Sequence, residues 1–109
     1  DVRVLEHPLD DVARLRGVRF RWKRDGAPSV GVIAQEVERV MPELVATAPD
    51  GIKSVEYPKL VALLIESTKA QQSEIATQRS DLEALRADNA RIRARLDRLT
   101  EQLGRVAAR

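Results

Sequence analysis

From Lys59 to Arg109 the chain contains no proline and a single glycine, Gly104. Over that length one long helix is the simplest structure open to it, and the spacing of its apolar residues says what kind. With Val61 at heptad position a, the a series reads Val61, Thr68, Ile75, Leu82, Asn89, Leu96, Leu103, and the d series Leu64, Gln71, Gln78, Leu85, Ile92, Leu99, Val106. From Leu82 onward only Asn89 interrupts a row that keeps the 3,4 spacing, the periodicity of a coiled coil rather than the broader stripe of a globular helix. One helix cannot bury such a row alone, so the chain is expected to self-associate. Flanking charges add a direction. Asp81 at g can meet Arg86 at e of a parallel neighbour, Asp88 can likewise meet Arg93, and an antiparallel arrangement loses both pairings. At about 1.5 Å per residue, roughly 50 residues make a rod on the order of 75 Å long.

The heptads leave two against three chains open. A lone a-position Asn often accompanies dimers, whereas Leu at a with Ile or Val at d leans towards more strands. Asn89 reads as a register device, the alternative being an ion or partner site. Thr68, Gln71 and Gln78 make the upper part of the seam polar, which would also suit helices that splay there.

Residues 1–56 carry a different pattern. "HPLDDVARLRG" places Pro8 in a first turn, Asp10 and Asp11 near the positive end of a helix dipole, Leu9, Val12 and Leu15 on one face, and Gly17 as a stop, predicting a helix over about 8–16. "GVRFRWKR" alternates Val18, Phe20 and Trp22 with Arg19, Arg21 and Lys23, the period of two that a half-buried strand needs, with Phe20 and Trp22 inward as core. Asp25-Gly26 turns the chain, a brief strand is expected at about 30–33, and a helix from about Ala34 to Met41 ends at Pro42 with Val37, Val40 and Met41 inward. "LVATAPDGIKSVEY" reads as a hairpin whose Asp50-Gly51 suits a two-residue primed turn. Tyr57-Pro58 launches the long helix. The expected fold class is therefore α+β: a small lobe of short helices and β-hairpins, 1–56, then a long helix, 57–109, forming a parallel coiled coil.

Only 3% of the residues are aromatic. A lobe of about 56 residues buries only around 60% of its unfolded surface, which leaves it marginal unless it packs on something else. The expected surface is the top of the long helix near Leu60, Leu63, Leu64 and Ile65, where apolar residues occur on more than the a/d seam.

Chemistry is sparse. The chain has no cysteine and one histidine, His7, which excludes a disulfide framework, a thiolate metal site and a paired-histidine site. His7, before Pro8, reads as a surface residue, and no cofactor or metal is expected. Nineteen Lys and Arg against 17 Asp and Glu leave a net charge of +2, too small and too interspersed to argue for nucleic acid or an anionic membrane. Arg91, Arg93, Arg95 and Arg98 interleave with Ile92, Leu96 and Leu99, whereas a zipper-type basic region precedes its heptads, so they read as solvated flanks. No run approaches a membrane span and no leader opens the chain, so a soluble fragment is expected.

Three separated blocks, "LRGVRFRWK", "VGVIAQEVERVMPELV" and "DGIKSVEYPKLVALLIESTK", followed by heptads, resemble in order and spacing the C-terminal intramolecular chaperone domain of phage endosialidases, tailspikes and tail fibres, shared with myelin regulatory factor. The resemblance covers about residues 1–75 closely and the remaining helix in kind. It implies a homotrimer that guides assembly of an intertwined fibre or β-helix stalk N-terminal to itself and then cuts itself off with a Ser-Lys dyad, in the host cytoplasm during virion assembly if the chain is of phage origin. In such a trimer the core is expected to hold Val61, Leu64, Ile75, Leu82, Leu85, Asn89, Ile92, Leu96, Leu99, Leu103 and Val106.

The same resemblance puts both dyad residues N-terminal to Asp1, in a segment of the form Ser-x-x-x-x-Lys followed by a stretch similar to "DVRVLE". None of Ser29, Ser54, Ser67, Ser73 or Ser80 substitutes: Ser54 adjoins Lys53, but adjacent strand residues point to opposite faces, and Ser67 and Lys69 do not face each other on a helix. The fragment is expected to be inert by itself, although a serine activated by a lysine whose pKa falls on burial would let trimer closure gate cleavage. Gln35 and Glu36 are candidates for positioning the scissile segment or orienting a catalytic group; equally, they read as an exposed first helical turn with an acid near its positive end. Gly31 is grouped with them, with backbone geometry as its simpler explanation. Two further functions compete: a permanent trimerisation stalk of a fibre, and the trimerising module of a transcription factor of the myelin regulatory type whose DNA-binding domain lies outside this chain.

Overall fold

A computed structural model describes residues 1–108. The chain is α+β. Helix α1 (Pro8–Ala13), strands β1 (Val18–Arg21) and β2 (Pro28–Gly31), helix α2 (Ala34–Val40), a 3₁₀ turn (Pro42–Leu44), strands β3 (Val45–Thr47) and β4 (Lys53–Val55) and helix α3 (Tyr57–Ala107) follow in order. Two compact units divide it, Asp1–Gln71 and Gln72–Arg109, so the first turns of α3 group with the lobe.

Each sheet is a single antiparallel hairpin. In the first, Phe20 lies opposite Ser29 and Arg21 opposite Pro28. The second strand therefore starts at Pro28, two residues earlier than expected, because the turn closes early: Trp22 N–H donates to Ala27 O, Ala27 N–H to Asp25 Oδ1, and Gly26 takes φ 71°. Pro28 opens an edge strand, where its missing N–H is tolerated. In the second hairpin the expected two-residue primed turn is replaced by a longer loop. Ala48 N–H donates to Ile52 O, Ile52 N–H to Asp50 Oδ1, and only Gly51, at φ 84°, is left-handed, whereas a type I′ turn requires positive φ at both central residues. Helix α1 also stops short of the expected 16, at Ala13, with Arg14 and Leu15 N–H groups closing tighter turns on Asp11 and Val12 carbonyls.

The core is small. Val37 of α2, Leu44 of the 3₁₀ turn and Leu63 of α3 are buried, and Leu5, Val12, Leu15, Val32, Met41, Val45, Val55 and Leu60 pack around them. The lobe meets α3 along Leu60, Leu63 and buried Ser67, residues three and four apart and hence on one helix face. Leu64 and Ile65, expected to share in this docking, are instead 47% and 53% exposed. The face that accepts the lobe comprises heptad positions c and g; Leu64, at d, flanks that face, and Ile65, at e, lies on the far side of α3. Trp22 departs from expectation too. It sits beyond the last paired residue of β1, 45% exposed, with its ring edge-on to half-buried Phe20 at 5.0 Å and the Arg24 guanidinium 5.4 Å above it.

Candidate functional site

Of the three residues singled out around the "GVIAQEV" block, two are occupied by structural partners. Gly31 ends β2 under the Tyr57 ring: a Cβ there would stand 2.7 Å from Tyr57 Oη and 3.4 Å from Phe20 Cε1. Close approach, rather than an unusual backbone angle, explains the glycine. The neighbouring Val32 N–H reaches Tyr57 Oη at 3.5 Å. Glu36, in the first turn of α2, accepts two hydrogen bonds from Arg16, Nε to Oε1 at 2.9 Å and Nη2 to Oε2 at 2.8 Å. The Arg16 guanidinium holds the Glu36 carboxyl below the usual carboxylate range, and the carboxylate in turn raises Arg16. This bidentate fork ties the loop after α1 to the start of α2.

Gln35 is exposed, and its side chain has no hydrogen-bond partner among the described residues. It stands on the rim of an apolar groove of about 490 Å³ between the two hairpins, whose walls include Phe20, Trp22, Val32, Ile52 and Tyr57. A second tie secures the far wall: Lys53 Nζ donates to Glu38 Oε2 at 2.8 Å and to Thr47 Oγ1 at 3.2 Å, joining β4, α2 and β3.

No serine hydroxyl among the described residues is hydrogen-bonded to a lysine. Ser67, the one buried polar residue among those described, donates to Pro8 O at 3.0 Å, which pins the start of α1 to α3. Lys59 and Lys69 pair with Glu56 and Glu66 one turn away. Ser67 was not legible as a fastening residue, since a serine in a polar stretch of helix gives no sign of a partner in a loop far back in the sequence.

Along α3 the a and d side chains Val61, Leu64, Ile75, Leu82, Leu85, Ile92, Leu96, Leu99, Leu103 and Val106 are all open to solvent, from 42% at Ile75 to 70% at Leu103, and Asn89 is exposed among them. Asp81, Arg86 and Arg93 are likewise exposed, while Asp88 bonds to Arg91 within the same helix. Among the described residues no group of three His, Cys, Asp or Glu side chains could hold a metal ion, and no helix is long and apolar enough to cross a membrane.

Comparison with known proteins agrees with this geometry at the lobe. Residues 1–46, from the entering segment through α1, β1, β2 and α2, match the family described as chaperone of endosialidase. The third block of the resemblance, beginning at Asp50, lies beyond that match. A protein described as "Long tail fiber protein Gp37" from Salmonella phage S16 is 33% identical over 86 residues, covering 69% of this chain but only 12% of the phage protein. Residues 1–46, which bring Val12, Val37 and Leu44 to the core around Leu63, thus carry the likeness to the endosialidase chaperone family.

Proposed function

We propose that this chain is the trimerising chaperone module of a tail-fibre protein, joined to the fibre it assembles and released from it by self-cleavage. The carrying observation is the division of labour on α3. The lobe takes the c and g face at Leu60, Leu63 and Ser67, and leaves an a/d row of Leu, Ile and Val exposed along the helix. A parallel homotrimer covers that row at a/d layers, with Asp81 to Arg86 and Asp88 to Arg93 between chains. The family membership of residues 1–46 and the tail-fibre relative support a fibre as the upstream partner.

The dyad that performs the cleavage lies in the segment preceding Asp1. Within the chain, Gln35 on the groove rim is the supporting residue left with an uncommitted side chain, whereas Gly31 and Glu36 act through Tyr57 and Arg16 to set the shape of that rim. Assembly takes place in the host cell, and neither nucleic acid, membrane nor metal takes part.

Sedimentation equilibrium of the chain tests the assembly. Three chains are expected for the native sequence and one for the double variant Leu85→Asp, Ile92→Asp. Native monomers or dimers at micromolar concentration overturn the reading. Expression of the parent with its upstream segment, beside a variant with the upstream serine changed to alanine, tests release: a band of about this length should form only with the serine.

A further inference from the structure

We propose that Ile65 of one chain packs on Leu60 of a neighbouring copy and closes the open flank of that copy's lobe; this rests on the parallel assembly through α3 argued above. In an in-register parallel coil, a g residue faces the e residue five positions later on the next chain. The offset that pairs Asp81 with Arg86 and Asp88 with Arg93 also pairs Leu60 with Ile65. Leu60 packs inward on the Val37, Leu44 and Leu63 core but stays only half-buried, so its outer side is uncovered in the single chain. Ile65 is 53% exposed and takes no part in its own lobe's core. The later e positions are Gln72, Arg79, Arg86, Arg93, Thr100 and Ala107, so Ile65 is the one large apolar residue in its series.

Within one helix the two residues cannot meet, because five positions at about 100° each put them on different faces. Contact between them therefore occurs only between chains. Each lobe is then sealed by the next helix around the axis, and the stability of the small core becomes a property of the assembled oligomer rather than of the chain.

The absence of cysteine from the sequence makes the test direct. Mild oxidation of the double variant Leu60→Cys, Ile65→Cys should give reducible covalent oligomers with the chain number found by sedimentation, and neither single variant should do so. In Ile65→Asp, the sedimenting mass should stay that of the native chain while the lobe, followed by the fluorescence of its single tryptophan, melts roughly 4–8 °C lower. A double variant that sediments as an oligomer yet stays uncross-linked overturns this contact alone. So do equal cross-linking of Ile65→Cys by itself and an unshifted lobe transition in Ile65→Asp. A native chain that sediments as a monomer overturns the assembly and this contact together.

Discussion

Ser67 Oγ donates to the carbonyl oxygen of Pro8 at 3.0 Å, across 59 residues of sequence. Ser67 is 5% exposed, and the bond joins the first residue of α1 to the long helix beside the Leu60 and Leu63 contact with the core. A buried carbonyl that loses its donor incurs a desolvation cost as well as the missing bond.

Ser67→Ala should therefore lower lobe stability by about 1 kcal/mol. For a unit of this size that corresponds to a transition roughly 4–8 °C lower. Trp22 fluorescence should report the shift, while the far-ultraviolet helical signal from the lower part of α3 keeps its own transition.

The Arg16 and Glu36 pair predicts an acid dependence. The guanidinium holds the Glu36 carboxyl below its usual range, so its folded-state pKa lies under the unfolded value of about 4.3. Stability from the pair is present above that unfolded value and is lost as pH falls through the folded one. Urea midpoints of the lobe in Glu36→Gln should fall below those of the native chain at neutral pH, and the gap should narrow as pH falls below the unfolded value of the carboxyl. A gap that widens on acidification would contradict the assignment.

Gly31→Ala should destabilise the lobe by about 1–3 kcal/mol through overpacking, because the new methyl group would meet Tyr57 Oη at 2.7 Å. Removing that oxygen relieves the clash. In a Tyr57→Phe background the same substitution should cost much less, and a thermal double-mutant cycle measures the difference.

Asn89→Leu fills the polar gap in the a series. It should raise the stability of the assembled coil by on the order of 1–3 kcal/mol per chain while broadening the distribution of oligomer sizes seen by sedimentation velocity. A variant equally stable and equally uniform would remove Asn89 as a register device.

Local chemistry was the most legible layer. Tyr57-Pro58 marked the start of α3 to the residue, because proline is accommodated in a first turn, and the alternation of Val18 with Phe20 marked β1. Turn glycines located both hairpins, although the number of residues in each loop was set by the Asp25 and Asp50 side chains capping backbone N–H groups. Trp22 was misplaced in the core because alternation carries no sign of where strand pairing ends, and pairing ends at Arg21. Arg16 with Glu36 and Ser67 with Pro8 lie 20 and 59 residues apart, so nothing in a local pattern announces them. The side of α3 on which the lobe sits was half legible. Leu60, Leu63, Leu64 and Ile65 all offered apolar surface, and only the positions of Val37 and Leu44 selected the first pair.

The clasp at Pro8 also settles how mechanical load would travel. Tension arriving through the segment before α1 meets α3 at Ser67, with Leu5 and Val12 gripping the same core, before it reaches either hairpin. Both hairpins hang in the slack of a loop closed at its base. A pull on the segment entering the lobe would therefore be handed to α3 before it reached either two-stranded sheet.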